Sequence, residues 1–320
     1  MCPGDARRPT GGRVTGHAHP ARTRSPVETG MVMMAVAMLV IPGIDAFAKL
    51  LGETVPPGEI VAFRFLFQSL FLLPVLLIGG FRRPDFRVLP VHAARGAMIA
   101  LATAFFFTAL QFLPMADAIA IFFVEPLVLT VISALFLGEG IGWRRVLAVV
   151  VGFGGALIVI RPGFYAVGWP ALLPLGTALC FAIYLALTRR LSQAGDAVEM
   201  QFWAGIFGLL TMVVVLGLGS AAAVPALTPV VPVGMEWAML LGLGVVATAG
   251  HMLVVHAFRR APASVLAPFQ YLEIIGATLL GWLIFGHFPD ALRWLGVGII
   301  VGSGLFVFHR ERQAQSTQGN

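Results

Sequence analysis

The chain has 320 residues, of which 58% are hydrophobic and only 11% charged. A soluble domain of that size covers itself with about 25% charged residues, so lipid must be the solvent for most of this chain. The net charge of +6 is carried by basic residues set singly or in pairs between apolar runs. That is the pattern of loops facing an anionic leaflet, and it excludes nucleic acid as a partner.

The first thirty residues hold Arg7, Arg8, Arg13, Arg22 and Arg24 among several Pro and Gly, with almost no apolar periodicity. Residues 1–30 read as a disordered basic tail or as an over-extended start with Met31 the true first residue. Windows of about 20 apolar residues, the length that crosses a hydrocarbon core, then predict ten spans. They cover roughly 31–51, 59–80, 93–112, 115–137, 143–161, 169–190, 200–219, 236–258, 262–286 and 290–309. Pro56-Pro57, Arg82-Arg83-Pro84 and Arg161-Pro162-Gly163 punctuate the ends of the first, second and fifth spans. A tight turn near Pro114 separates the third from the fourth, 220–234 reads as a non-helical connector, and 311–320 is a polar tail.

The basic residues test that count. With both termini in the cytoplasm, the inner side takes the tail arginines, Arg82, Arg83, Arg87, Arg95, and the pairs Arg144-Arg145, Arg189-Arg190 and Arg259-Arg260, then Arg310 and Arg312. Of the 21 Lys and Arg, only Lys49, Arg64, Arg161 and Arg293 fall at or toward the outer side. This positive-inside asymmetry fits an even number of spans. The two cysteines, Cys2 and Cys180, make neither a disulfide framework nor a metal spacing.

Ten spans divide into five and five, and the halves echo each other. Phe136-Leu137-Gly138-Glu139 followed by Arg145 recurs, shifted by 148 residues, as Ile284-Phe285-Gly286-His287 followed by Arg293. Because five is odd, the second half must cross the membrane in the opposite sense. The expected fold is therefore an all-α polytopic membrane protein of ten transmembrane helices, built as two inverted five-helix repeats at 31–163 and 164–310, with both termini cytoplasmic. Inverted repeats are a common plan of secondary transporters, whose sites lie near the midplane between the halves.

At these residues the chain resembles the drug/metabolite transporter superfamily in its EamA-type branch. Met115-Ala116-Asp117-Ala118, Glu125-Pro126-Leu127, Leu137-Gly138-Glu139, Arg161-Pro162-Gly163 and Arg64 carry the resemblance in the first half. In the second, Ala267-Pro268-Phe269-Gln270-Tyr271 and Phe285-Gly286-His287-Phe288-Pro289-Asp290 are similar to a subgroup that includes carriers suggested for riboflavin and S-adenosylmethionine. Two positions depart from the pattern: His287 stands where the motif normally has Glu, and Ile274 where a proline is common. The resemblance covers about 31–310. It implies a ten-helix permease with a central cavity, moving a small metabolite across the bacterial inner membrane without implying which one.

A charged side chain at the bilayer centre costs about 2.5–3.5 kcal/mol on insertion scales, so intramembrane charges mark candidate sites. Glu125 and Glu273 lie at matching depths in the fourth and ninth spans and form the leading pair; a desolvated acid there can carry a proton. Gln270 and Tyr271 fall within one turn of Glu273. Asp45 and Lys49, four apart on one helical face, read either as a self-neutralising pair or as part of the cavity wall. His251 and Trp203 complete the expected substrate-binding set, the latter with Tyr184 as a surface on which a planar ligand stacks. Arg64, Glu139 and His287 are expected at helix ends, with Arg64 and Glu139 in conformation-dependent salt bridges. Gly298-x3-Gly302 is a motif through which two copies can form a homodimer.

The residues therefore favour a secondary transporter for a small molecule such as an amino acid or cofactor precursor, coupled to a proton, an ion or exchange. No Gly-x4-Gly-Lys-Ser/Thr loop is present, so the chain does not carry ATP drive of its own. The alternatives are an intramembrane enzyme, for which no catalytic set such as His-Glu-x-x-His is found, and a membrane sensor or scaffold, which has no need of pseudo-symmetry. No cofactor and no metal are expected.

Overall fold

The computed structural model describes residues 26–79, 86–137, 143–191, 196–224, 227–261 and 263–318. Glu139 lies outside them. Among the described residues the chain is helical, without strands. In order these helices are α1 (Pro26–Val40), α2 (Pro42–Leu51), α3 (Pro57–Gly79), α4 (Leu89–Leu110), α5 (Met115–Phe122), α6 (Glu125–Leu137) and α7 (Trp143–Val167). A 3-10 turn at Trp169–Leu172 precedes α8 (Leu173–Leu191), α9 (Ala197–Ala221), α10 (Met235–Phe258), α11 (Ala263–Gln270), α12 (Leu272–Phe285) and α13 (Ala291–Gln318).

Eight helical stretches are long and apolar enough to cross a bilayer; two further apolar helices, Val146–Arg161 and Ala291–Val307, are shorter. Helices suit this solvent because each satisfies its own backbone where no water can. The exterior is correspondingly apolar. Leu77, Ile78, Val150, Leu157, Leu218 and Leu283 are each more than half exposed, a surface that would aggregate in water and that lipid solvates.

Three expected boundaries move. Helix α1 begins at Pro26, inside the stretch read as a disordered tail, and α13 runs on to Gln318, through most of the expected polar tail. Helix α7 passes through Arg161-Pro162-Gly163, expected to close the fifth span, and stops at Val167. A proline inside a membrane helix is tolerated where neighbours re-satisfy the freed carbonyl. The stop falls instead at Gly168, whose φ of +74° only glycine adopts without strain.

Three expected spans carry a local interruption of one or two residues, with Ile41 and Tyr271 keeping right-handed helical dihedrals, and each still runs on as one apolar stretch. The first breaks between α1 and α2 at Ile41, the fourth between α5 and α6 at Phe123-Val124, and the ninth between α11 and α12 at Tyr271. Pro42 and Pro126 have no N–H to return to the carbonyl four residues back, and Pro268 sits inside α11 just before its end. At the first break the close approach of α12 leaves no room for a side chain: a Cβ on Gly276 would lie 3.1 Å from Pro42 and 3.3 Å from the Met38 carbonyl.

The helices pack across the middle of the chain. Helix α4 lies against α8 and α9, α3 against α9 and α10, α1 against α10, and α7 against α13. Gly155 and Gly296 sit at the α7–α13 contact, where a Cβ on Gly155 would lie 3.0 Å from the Gly296 carbonyl oxygen and one on Gly296 2.9 Å from that of Gly155. By contrast a Cβ on Gly298 or Gly302 would meet nothing, so that motif faces away from the bundle.

Candidate functional site at three interrupted helices

Each interruption is followed at once by an acid. Asp45 lies in the first turn of α2, Glu125 in the first turn of α6 and Glu273 in the first turn of α12. The positive end of a helix dipole favours negative charge there, and interrupted helices at mid-membrane build the ion and substrate sites of transporters. Glu125 and Glu273 each stand ten residues in from the start of the interrupted helix, at Met115 and Ala263. That is about 15 Å at 1.5 Å per residue, half of a hydrocarbon core of about 30 Å.

The acids converge. Asp45 lies in the electrostatic field of Glu273 and of Arg64, and Tyr271 in that of Glu125. The rings of Phe123 and Tyr271, one at each of two interruptions, pack at 5.1 Å between centroids. Asp45 and Glu125 are buried, and Glu125 Oε1 has no hydrogen-bond partner. Among the described residues no cation lies within ion-pair distance of any of the three.

Arg64 is also buried, in the interior rather than at a helix end. Its Nη1 donates to Thr103 Oγ1 at 2.9 Å, its guanidinium lies 4.7 Å from the Phe65 ring centroid, and its Nε has no acceptor. The salt bridge expected of it is not made: Asp45 is a neighbour in the field and not a bonded partner. His251 joins this group, facing Arg64 electrostatically while its Nδ1 pairs with the Ala247 carbonyl at 2.7 Å. Gln270 is half-buried, adjacent to Tyr271.

Other expected residues lie elsewhere. Lys49 neither neutralises Asp45 nor lines the acid cluster. Its Nζ donates to the carbonyls of Leu110 and, at 2.8 Å, Leu113, closing the C-terminal end of α4, and it lies 5.5 Å from the Phe285 ring centroid. Unsatisfied carbonyls at a helix end attract a cation, and four-residue spacing on one face did not predict that this attraction wins. Trp203 packs among Phe202, Phe207 and His92. His287 is exposed, and its backbone N–H bonds to the Gly281 carbonyl where Gly286, at φ +71°, ends α12.

Two features escaped the reading of the sequence. Arg95, counted there with loop cations, is fully buried on α4; its place inside an apolar window was the available signal. Arg293 at the start of α13 reaches Asp117 on α5 at 2.9 Å, with Asp290 at 3.4 Å. Nothing in the local sequence announces a pair that folding alone brings together.

An all-helical, lipid-solvated bundle with charged groups gathered at interrupted helices defines a multi-pass membrane protein of carrier type. The EamA-like transporter family model matches the chain twice, over residues 28–161 and 168–309, and the chain belongs to that family. It is similar to an S-adenosylmethionine uptake transporter of Rickettsia bellii, at 29% identity over 85% of this chain and 90% of that one. A riboflavin transporter of Rhizobium johnstonii is 28% identical over 92% and 97% of the two chains. A pseudopaline exporter of Pseudomonas aeruginosa is 29% identical over 86% and 94%. These relatives are transporters, not enzymes. One solved crystal structure of 19% identity shares the fold with a TM-score of 0.58, covering 89% of this chain and 98% of its own.

Proposed function

We infer that the protein is a ten-span secondary transporter of the bacterial inner membrane that moves a small metabolite by alternating access. In this reading the two inverted repeats, 31–163 and 164–310, rock about a site formed by Glu125, Glu273, Asp45, Arg64, Tyr271 and His251, with both termini in the cytoplasm.

The observation that carries the reading is the pair of interruptions in α5–α6 and α11–α12. They stand 148 residues apart, the offset of the sequence repeat, with Phe123 against Tyr271, and Glu125 and Glu273 each ten residues in from the start of its span. The double match of one family model supports the same division. The shorter windows in α7 and α13 then complete ten spans, and the basic residues set the orientation.

Three acids against one arginine favour a ligand with a cationic part, and the packed rings favour one with a planar or apolar part. The cargoes named for the relatives, S-adenosylmethionine, riboflavin and pseudopaline, are small molecules of varied charge. The drive comes from a proton, an ion or exchange; Glu125 and Glu273 are the groups placed to carry a proton.

Phe123, 6% exposed, reports on alternating access. With Cys2 and Cys180 replaced by serine, Phe123→Cys in oriented proteoliposomes is expected to react with a membrane-impermeant thiol reagent added from either face. Reaction from one face alone, or from neither, would contradict alternating access.

A further inference from the structure

Arg95 is a cation the reading above leaves unused. It lies six residues into α4, about 9 Å along the helix, toward the end of the bundle opposite Lys49, and is 1% exposed. Its Nε donates to Thr188 Oγ1 on α8 at 2.9 Å. Its Nη1 reaches the Met200 carbonyl on α9 and His92 Nδ1, each at 3.4 Å, and its guanidinium sits 5.2 Å from the Tyr184 ring centroid.

All of these partners are neutral oxygens, an imidazole and a ring face. Among the described residues no carboxylate lies within ion-pair distance of Arg95. A basic residue that merely sets topology keeps its head at the polar interface, whereas Arg95 is buried. A desolvated guanidinium without a counter-charge is unfavourable, and no described carboxylate supplies that charge.

Rings in mutual contact join this corner to the central acids. Tyr184 packs on Phe181 at 5.5 Å, Phe181 on Phe122 at 5.4 Å, Phe122 on Phe123 at 5.8 Å and Phe123 on Tyr271 at 5.1 Å. The series starts at the buried cation and ends two residues from Glu273. It passes from α8 to the end of α5 and on to Tyr271, so it links the two halves of the chain.

We propose that Arg95, with Thr188 and the face of Tyr184, is an anion subsite on the transport path that takes the carboxylate of the substrate. A single guanidinium, with Nε and Nη1 already engaged, matches one negative charge; a phosphate dianion would leave an unpaired charge beside it. The substrate class is then a metabolite with both a carboxylate and a cationic group, the cation recognised at the acids of the three interruptions. The proposal rests on the central path described under the proposed function.

The test uses the full chain in proteoliposomes, with Cys2 and Cys180 replaced by serine and one cysteine introduced as Thr188→Cys or, separately, Tyr184→Cys. Two probes of similar size and opposite charge are compared: sulfonatoethyl and trimethylammonioethyl methanethiosulfonate. Normalised to a free thiol, the anionic probe is expected to react about tenfold faster or more beside an uncompensated buried charge. Adding Arg95→Gln is expected to abolish the preference and Arg95→Lys to keep it, a distinction that a packing role would not produce. A preference unchanged by Arg95→Gln would overturn the proposal. So would silence at both Thr188→Cys and Tyr184→Cys while Phe123→Cys reacts, leaving the central path intact. Silence at all three positions would overturn the path itself.

Discussion

The central acids and the Asp117–Arg293 corner meet the same problem in opposite ways. At the corner, a buried carboxylate has a guanidinium at 2.9 Å, and a second acid, Asp290, steadies the same arginine from just before its helix. At the interruptions, Asp45, Glu125 and Glu273 have no such partner among the described residues, and Arg64 leans on a threonine and a phenylalanine ring. A pair that is closed within the protein stabilises it. On the proposed function, the unpaired charges at the interruptions await an incoming ligand, since a low-dielectric site strengthens every interaction with an arriving charge.

That contrast can be broken at several points. The largest effect is expected at the acids. Glu125→Gln and Glu273→Gln are each predicted to weaken ligand binding by about a hundredfold, measured by titration on the purified protein, while thermal stability holds or rises because a buried charge has been removed. Asp117→Asn is predicted to do the reverse. It leaves Arg293 without its partner and lowers stability by about 1–3 kcal/mol, and a double-mutant cycle with Arg293→Met is expected to recover part of that loss. Lys49→Met, which uncovers the Leu110 and Leu113 carbonyls, is expected to cost about 1–2 kcal/mol and to leave ligand affinity unchanged. Asp196→Asn should be nearly silent. Its bond to Arg259 is about half exposed on both sides, and such pairs contribute about 0–1 kcal/mol.

Much of this was legible in the chain. The lipid-solvated helical class follows from composition. The repeat offset of 148 residues relates Glu125 to Glu273 in the sequence itself. The interruptions were not legible, because proline does not decide them alone: α3 continues through Pro74 and α7 through Pro162, whereas breaks follow at Pro42 and Pro126. At Pro42 a neighbouring element, α12 at Gly276, packs closely against the break, a contact that sequence alone does not announce. Lys49 was placed with Asp45 by helical spacing, yet its long side chain reaches the open carbonyls of another helix. Arg95 was assigned to water by its nearness to a basic loop, when the packing of α8 and α9 over α4 buries it.

The most direct measurement is a thermal-stability screen of small metabolites against the purified protein, repeated with Glu125→Gln, Glu273→Gln and Asp117→Asn. A ligand that binds the folded state raises the melting temperature by mass action. The account predicts a stabilising metabolite whose effect disappears in both glutamate variants and persists in Asp117→Asn. A metabolite that stabilises both glutamate variants as well as the unaltered protein would contradict it, and would leave the acids of the interrupted helices as structural groups.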